Sequence, residues 1–167
     1  MARIARWVLL LVNVGNWIAQ AVFMAMLASL VMDIGPLAER IASRALPGKG
    51  AAAVHLFEIA LLLGPPITIA VHRICIRAIA MIDTLLAGTP FIAANARRLH
   101  DIGWALLALQ MLDLIYGRLA FAIAGTTGRP MPWAPGLTGW IAVLLVFVLA
   151  RVFAEGTRMQ DDLEGTV

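Results

Sequence analysis

Gly88-Thr-Pro-Phe-Ile-Ala-Ala-Asn-Ala-Arg-Arg-Leu-His-Asp-Ile-Gly103 is the stretch whose reading decides the fold. Gly88 follows a long helical pattern, and a helix can close there through a left-handed residue. Thr89 is placed to cap a new helix, with Pro90 in its first turn, where a missing N–H costs nothing. From Pro90 to about Ala124 nothing breaks the helical pattern, which amounts to about 52 Å of helix at 1.5 Å per residue. The preceding helix, about Val54 to Ala87, is nearly as long. A bilayer core takes up about 30 Å of each. Some 15–20 Å of paired helix is therefore expected to project into water as a hairpin, roughly residues 77–102.

Composition supports the bilayer. Of 167 residues, 62% are hydrophobic and 14% charged, against about 45–50% and about 25% in soluble domains. Mean hydropathy is +0.89. These values describe an integral membrane protein, and the length is that of one domain. The net charge of +3 comes from few charges, as a Lys/Arg excess on one side of a membrane would give. It is not a signal for direct nucleic-acid binding. The single cysteine, Cys75, excludes an internal disulfide and a cysteine-based metal cage, and reads as apolar filler.

Four spans follow along the chain, at about 7–31, 54–76, 103–124 and 137–155. Arg3 and Arg6 precede the first, which is too long for a signal-peptide core and is expected to remain uncleaved. Asn13, Asn16 and Gln20 recur at spacings of three and four, so they share one inward face, as interhelical bonds or a ligand site would require. Residues 36–46 have the pattern of a short amphipathic helix lying on the membrane surface. Gly64-Pro65-Pro66 should kink the second span and release carbonyls near Leu61 and Leu62. With the N-terminus inside, the inner segments carry eight basic residues (Arg3, Arg6, Arg73, Arg77, Arg97, Arg98, Arg151 and Arg158) and the outer loops four. That asymmetry predicts both termini in the cytoplasm. Trp7 and Trp104 fit an inner aromatic belt, and Trp133 and Trp140 an outer one. The predicted architecture is a single all-α domain over residues 1–167, a multi-pass bundle of four transmembrane helices in the cell membrane. Spans two to four extend into the cytoplasm.

Antiparallel helices place equal counts from the tip at equal heights. Counting from Thr89 pairs Glu58 with Arg118, Arg77 with Asp101 and Asp83 with Arg97. A charge inside a bilayer is costly and usually paired, which makes Glu58–Arg118 the best-motivated pair, with separate snorkelling of the two side chains as the alternative. Asp113 falls level with Pro65 and the freed carbonyls. It reads either as a structural hydrogen bond or as part of a proton or ion path. His72 and His100 differ in height by roughly 9 Å, which predicts no metal or haem site, and no cofactor is expected. Nucleotide-binding and hydrolase motifs are missing from the sequence, so an enzyme is not expected and no catalytic residue is assigned.

Gly88-Thr-Pro-Phe91, Asn95, Arg98-Leu99 and Ile102-Gly103-Trp104 resemble the hairpin of an uncharacterised bacterial membrane family, the domain of unknown function family 2975. Leu149-Ala150, Val152-Phe153, Gly156, Gln160, Asp162-Leu163 and Thr166-Val167 are similar to that family's close. The resemblance implies four spans. It also implies a neighbouring gene for a small helix-turn-helix regulator, and so a cytosolic DNA-binding partner. The double proline, Glu58 and Arg118 lie outside the family-like runs.

Phe91, Asn95, Arg98 and Ile102 fall at spacings of four, three and four, one stripe of the projecting helix. The stripe reads as a docking face or as a helix–helix seam. The leading functional expectation is a non-enzymatic regulatory or scaffolding membrane protein that holds a cytosolic partner. The alternative is a small transporter or channel subunit using intramembrane Asp113 and Glu58, with Arg118 beside them. A second copy of the chain is a further partner left open. The acidic tail (Asp161, Asp162, Glu164) is expected within reach of Arg97 and Arg98, where it would compete with a partner.

Overall fold

The computed structural model describes residues 1–164, with side chains described as far as Met159. The tail carboxylates of Asp161, Asp162 and Glu164, and the terminal Thr166-Val167, lie outside what is described. Six helices are formed among the described residues: α1 Ala2–Val31, α2 Leu37–Ala42, α3 Gly50–Leu62, α4 Gly64–Leu86, α5 Ala93–Thr127 and α6 Leu137–Glu164. No strand occurs among these residues. Four helical stretches are long and apolar enough to cross a membrane: Ala2–Val31, Gly50–Leu86, Ala93–Thr127 and Leu137–Met159.

The helix ends follow local chemistry. α1 closes with Asp33 in the left-handed region (φ 51°), where Ile34 N–H reaches the Ser29 carbonyl at 2.9 Å and Asp33 N–H reaches Leu30 at 3.2 Å. Asp is among the few residues that tolerate this conformation. α4 closes as expected at Gly88 (φ 80°). Thr89 N–H bonds the Thr84 carbonyl at 3.0 Å and Gly88 N–H bonds Leu85 at 3.2 Å, the paired closure of a Schellman motif. The predicted cap at Thr89 is not used. α5 begins at Ala93, and in the non-helical link of residues 89–92 the Pro90 carbonyl accepts from the Asn95 side chain. At its other end α5 runs past Gly125 to Thr127 and closes at Gly128, whose N–H bonds Ala124 at 2.8 Å.

The double proline interrupts the second span at one residue, Leu63, between α3 and α4. N–H groups at this break close onto the carbonyls of Ala60 and Leu61, so the Leu61 carbonyl is not left free. The surface helix is shorter than expected, Leu37–Ala42, because residues 43–46 turn toward the end of α5. There Leu46 N–H bonds the Thr126 carbonyl at 2.8 Å, and Lys49 Nζ bonds the Gly125 carbonyl at 2.8 Å. A cation on the last carbonyls of a helix also meets the negative end of its dipole.

The chain separates into two compact units. One comprises Met1–Asn16, Ile69–Gln110 and the chain from Gly136; the other comprises Trp17–Thr68 and Met111–Pro135. α1, α4 and α5 contribute residues to both. In the first unit Asn13 Oδ1 meets His72 Nδ1 at 2.9 Å. In the second, Thr68 Oγ1 donates to Gln20 Oε1 at 2.9 Å, and this buried amide packs on Gly64 at the α3–α4 break. The inward polar face of α1 thus holds α4 through hydrogen bonds, the interhelical reading of that face.

Candidate functional site

The hairpin tip in the first unit is built around Asn95. Its side chain is 1% exposed, so every polar atom on it needs a partner. Nδ2 donates to Thr84 Oγ1 at 2.7 Å and to the Pro90 carbonyl at 2.8 Å. Oδ1 accepts from Arg98 Nη1 at 2.8 Å. The guanidinium fixes which amide atom is oxygen, because it has only donors to offer. Arg98 Nη1 also donates to the Ala80 carbonyl on α4 at 3.1 Å, and Thr84 Oγ1 donates to Met81 at 2.8 Å. α4, the link and α5 are therefore tied together by one amide.

The stripe divides accordingly. Asn95 and Ile102 are buried and Arg98 is half-buried, so these three lie in the seam. Phe91 remains 48% exposed while its ring tilts against Phe153 at 5.3 Å and lies over Gly156. At the residue after Ile102, Gly103 meets Phe147 so closely that a Cβ there would sit 2.9 Å from the ring. α6 thus packs on the hairpin through two glycines, Gly103 of α5 and its own Gly156.

Of the charge pairs expected from equal counts, Arg77–Asp101 forms, with Nε 3.0 Å from Oδ2. Asp83 pairs instead with Arg6, whose Nε lies 3.0 Å from Oδ1, off line for a hydrogen bond. Counting along two helices cannot see that the start of α1 packs beside them. Glu58 is likewise not paired with Arg118. Its Oε2 lies 2.9 Å from His55 Nδ1 one turn earlier, and Arg118 is exposed without an ion-pair partner among the described residues. Local spacing of three supplied a partner that needed no second helix.

Asp113 has a different partner from the proline carbonyls. Trp133 Nε1 donates to Asp113 Oδ1 at 3.2 Å, and the indole lies directly on Gly117, where a Cβ would overlap the ring. Phe121 meets the same indole edge-on at 6.0 Å. Trp133 is therefore folded onto α5. The glycine at 117, four residues after Asp113, was the one signal in the sequence for such an approach.

A second feature of the first unit is an open cleft of about 880 Å³ lined from α4, α5 and α6. Four arginines (Arg77, Arg97, Arg98 and Arg151) face one carboxylate, Asp101, in it. His100 stands on its wall, with Nε2 accepting from Trp104 Nε1 at 3.0 Å. The ring packs edge-on against Phe147 at 5.4 Å. Among the described residues there is no group of three or more His, Cys, Asp or Glu that could hold a metal ion.

A family model described as protein of unknown function (DUF2975) matches residues 4–167. The chain belongs to that family. The two family-like runs, whose starts are 61 positions apart, meet in this DUF2975 protein through residues as far as Gly156. Gly88 closes α4, Asn95 and Arg98 clamp the link, and Phe91 and Gly103 receive Phe153, Gly156 and Phe147 of α6. No curated protein and no solved structure matches the chain.

Proposed function

We propose that this DUF2975 protein is a non-enzymatic regulatory or scaffolding membrane protein whose α4–α5 hairpin holds a cytosolic partner. A small DNA-binding regulator is the first partner to test. One observation carries this reading. Gly50–Leu86 and Ala93–Thr127 span 37 and 35 residues, where about 20 suffice to cross a bilayer. The surplus converges on a tip made rigid by Asn95, which nevertheless exposes Leu85, Leu86 and Phe91. Apolar side chains outside the hydrocarbon, on an arm with little freedom to lose, favour protein docking. The carboxylates of the transporter reading are both engaged, Asp113 by Trp133 and Glu58 by His55.

The test is capture of the regulator on membranes bearing wild-type protein or the Leu85→Glu/Leu86→Glu variant. Both leucines are exposed, so the fold should survive the change. Loss of capture with the variant supports the reading. Equal capture by both proteins, or none by wild type, overturns it.

A further inference from the structure

Arginine density in the cleft exceeds what the fold uses. Arg77 is committed to Asp101 at 3.0 Å. Arg98 is committed to Asn95 and the Ala80 carbonyl. Arg97 and Arg151 are exposed and have no ion-pair or hydrogen-bond partner among the described residues. Two guanidinium groups on facing helices, α5 and α6, thus line one cavity, and guanidinium matches phosphate oxygens in a two-pronged geometry. Beside Arg151, α6 gives the cavity an apolar wall of Ala150, Ala154 and Phe147, while His100 and the Arg77-paired Asp101 line the α5 side. Its volume of about 880 Å³ is in the range that holds a ligand well beyond a bare ion.

The height of the cleft along the helices selects the ligand. Trp104 is 56% exposed and spends its N–H on His100, as an interfacial indole with one apolar and one polar side does. Arg97 lies two turns nearer the tip than Trp104, about 10 Å along α5 at 1.5 Å per residue. On α6, Val148 precedes Arg151 on the side away from the tip and is exposed, as a lipid-facing residue is. The cations therefore stand at the outer side of the headgroup band, about 5–8 Å deep on each side of a bilayer, and a guanidinium on its long stem reaches back into it.

We propose that this cleft binds the phosphate headgroup of an anionic phospholipid from the leaflet on the hairpin's side. Arg97 and Arg151 grip the phosphate, and the apolar α6 wall lies against the glycerol and upper acyl chain. Arg77 and Arg98 remain with their protein partners and add only their field. A soluble phosphate compound shares the chemistry but has no use for a site set at the bilayer edge.

The experiment measures binding of a fluorescent phosphatidylglycerol to the purified protein in phosphatidylcholine nanodiscs. The Arg97→Gln/Arg151→Gln variant should bind on the order of tenfold or more weakly. The Arg97→Lys/Arg151→Lys variant should fall between it and wild type. Arg129→Gln, outside the cleft, should match wild type. Thermal unfolding in phosphatidylcholine alone should be the same for all four proteins, since neither cleft arginine supports the fold. If the double glutamine variant unfolds early, the lysine pair and the single Arg97→Gln carry the comparison. Affinity unchanged in the variants overturns the proposal. So does inorganic phosphate that displaces the lipid and stabilises the protein as well as phosphatidylglycerol does, because the ligand is then a soluble anion. No cytosolic partner is present in this assay, so its outcome is independent of the docking role.

Discussion

Asn95 has the most to lose of any single side chain in the hairpin. Replacing it by leucine keeps the branched shape, with bulkier methyl ends, but strands the Pro90 carbonyl and one Arg98 donor in a buried place. Each buried polar group left unpaired costs about 1–3 kcal/mol. Asn95→Leu should therefore lower stability by about 2–4 kcal/mol in reversible detergent unfolding. Thr84→Val, which removes a single partner of the amide, should cost about 1 kcal/mol. A leucine variant within about 0.5 kcal/mol of wild type would mean the clamp contributes nothing. Asn95 was visible in the sequence as a member of a stripe, yet its partners were not. Thr84 lies on another helix, and the Pro90 carbonyl belongs to a link that the sequence pattern assigns to helix. Gly117 shows the same limit from the opposite side. The absent Cβ is in the sequence, while the indole that occupies its place arrives from a loop sixteen residues away.

At the scale of helices, periodicity and turn chemistry located what is local. Gly88 closing α4, the break before Pro65-Pro66 and the four apolar stretches all follow from residue type and spacing. Equal counting from the tip then found Arg77–Asp101, because two antiparallel helices share one rise per residue. It missed Arg6–Asp83 and His55–Glu58, where a third helix or the same helix supplies the nearer charge. The Arg77–Asp101 pair is about half exposed at each end, so its coupling should be small. A double-mutant cycle with Arg77→Gln and Asp101→Asn should give about 0.2–1 kcal/mol, falling with added salt. A coupling above about 2 kcal/mol would instead indicate a desolvated pair.

For the molecule as a whole, orientation in the membrane rests on the basic residues near the hairpin and the helix ends. A cysteine at Thr89, in a Cys75→Ser background, should be protected from a membrane-impermeant thiol reagent in intact cells. One at Thr127, at the end of α5, should be labelled. The reverse pattern would place the tip outside the cytoplasm and remove any cytosolic partner from its reach. The cover on that tip also sets an order of events during synthesis. Phe91 and Phe153 are 62 positions apart in the chain, and Gly103 waits for Phe147. At about 5–20 residues per second, roughly 3–12 s separate the emergence of the two rings from the ribosome. Through that interval the newborn hairpin carries an uncovered phenylalanine and one vacant glycine notch, at Gly103. A ribosome that stalls before α6 leaves a product with its apolar tip bare, open to quality-control proteases until the last helix closes over it.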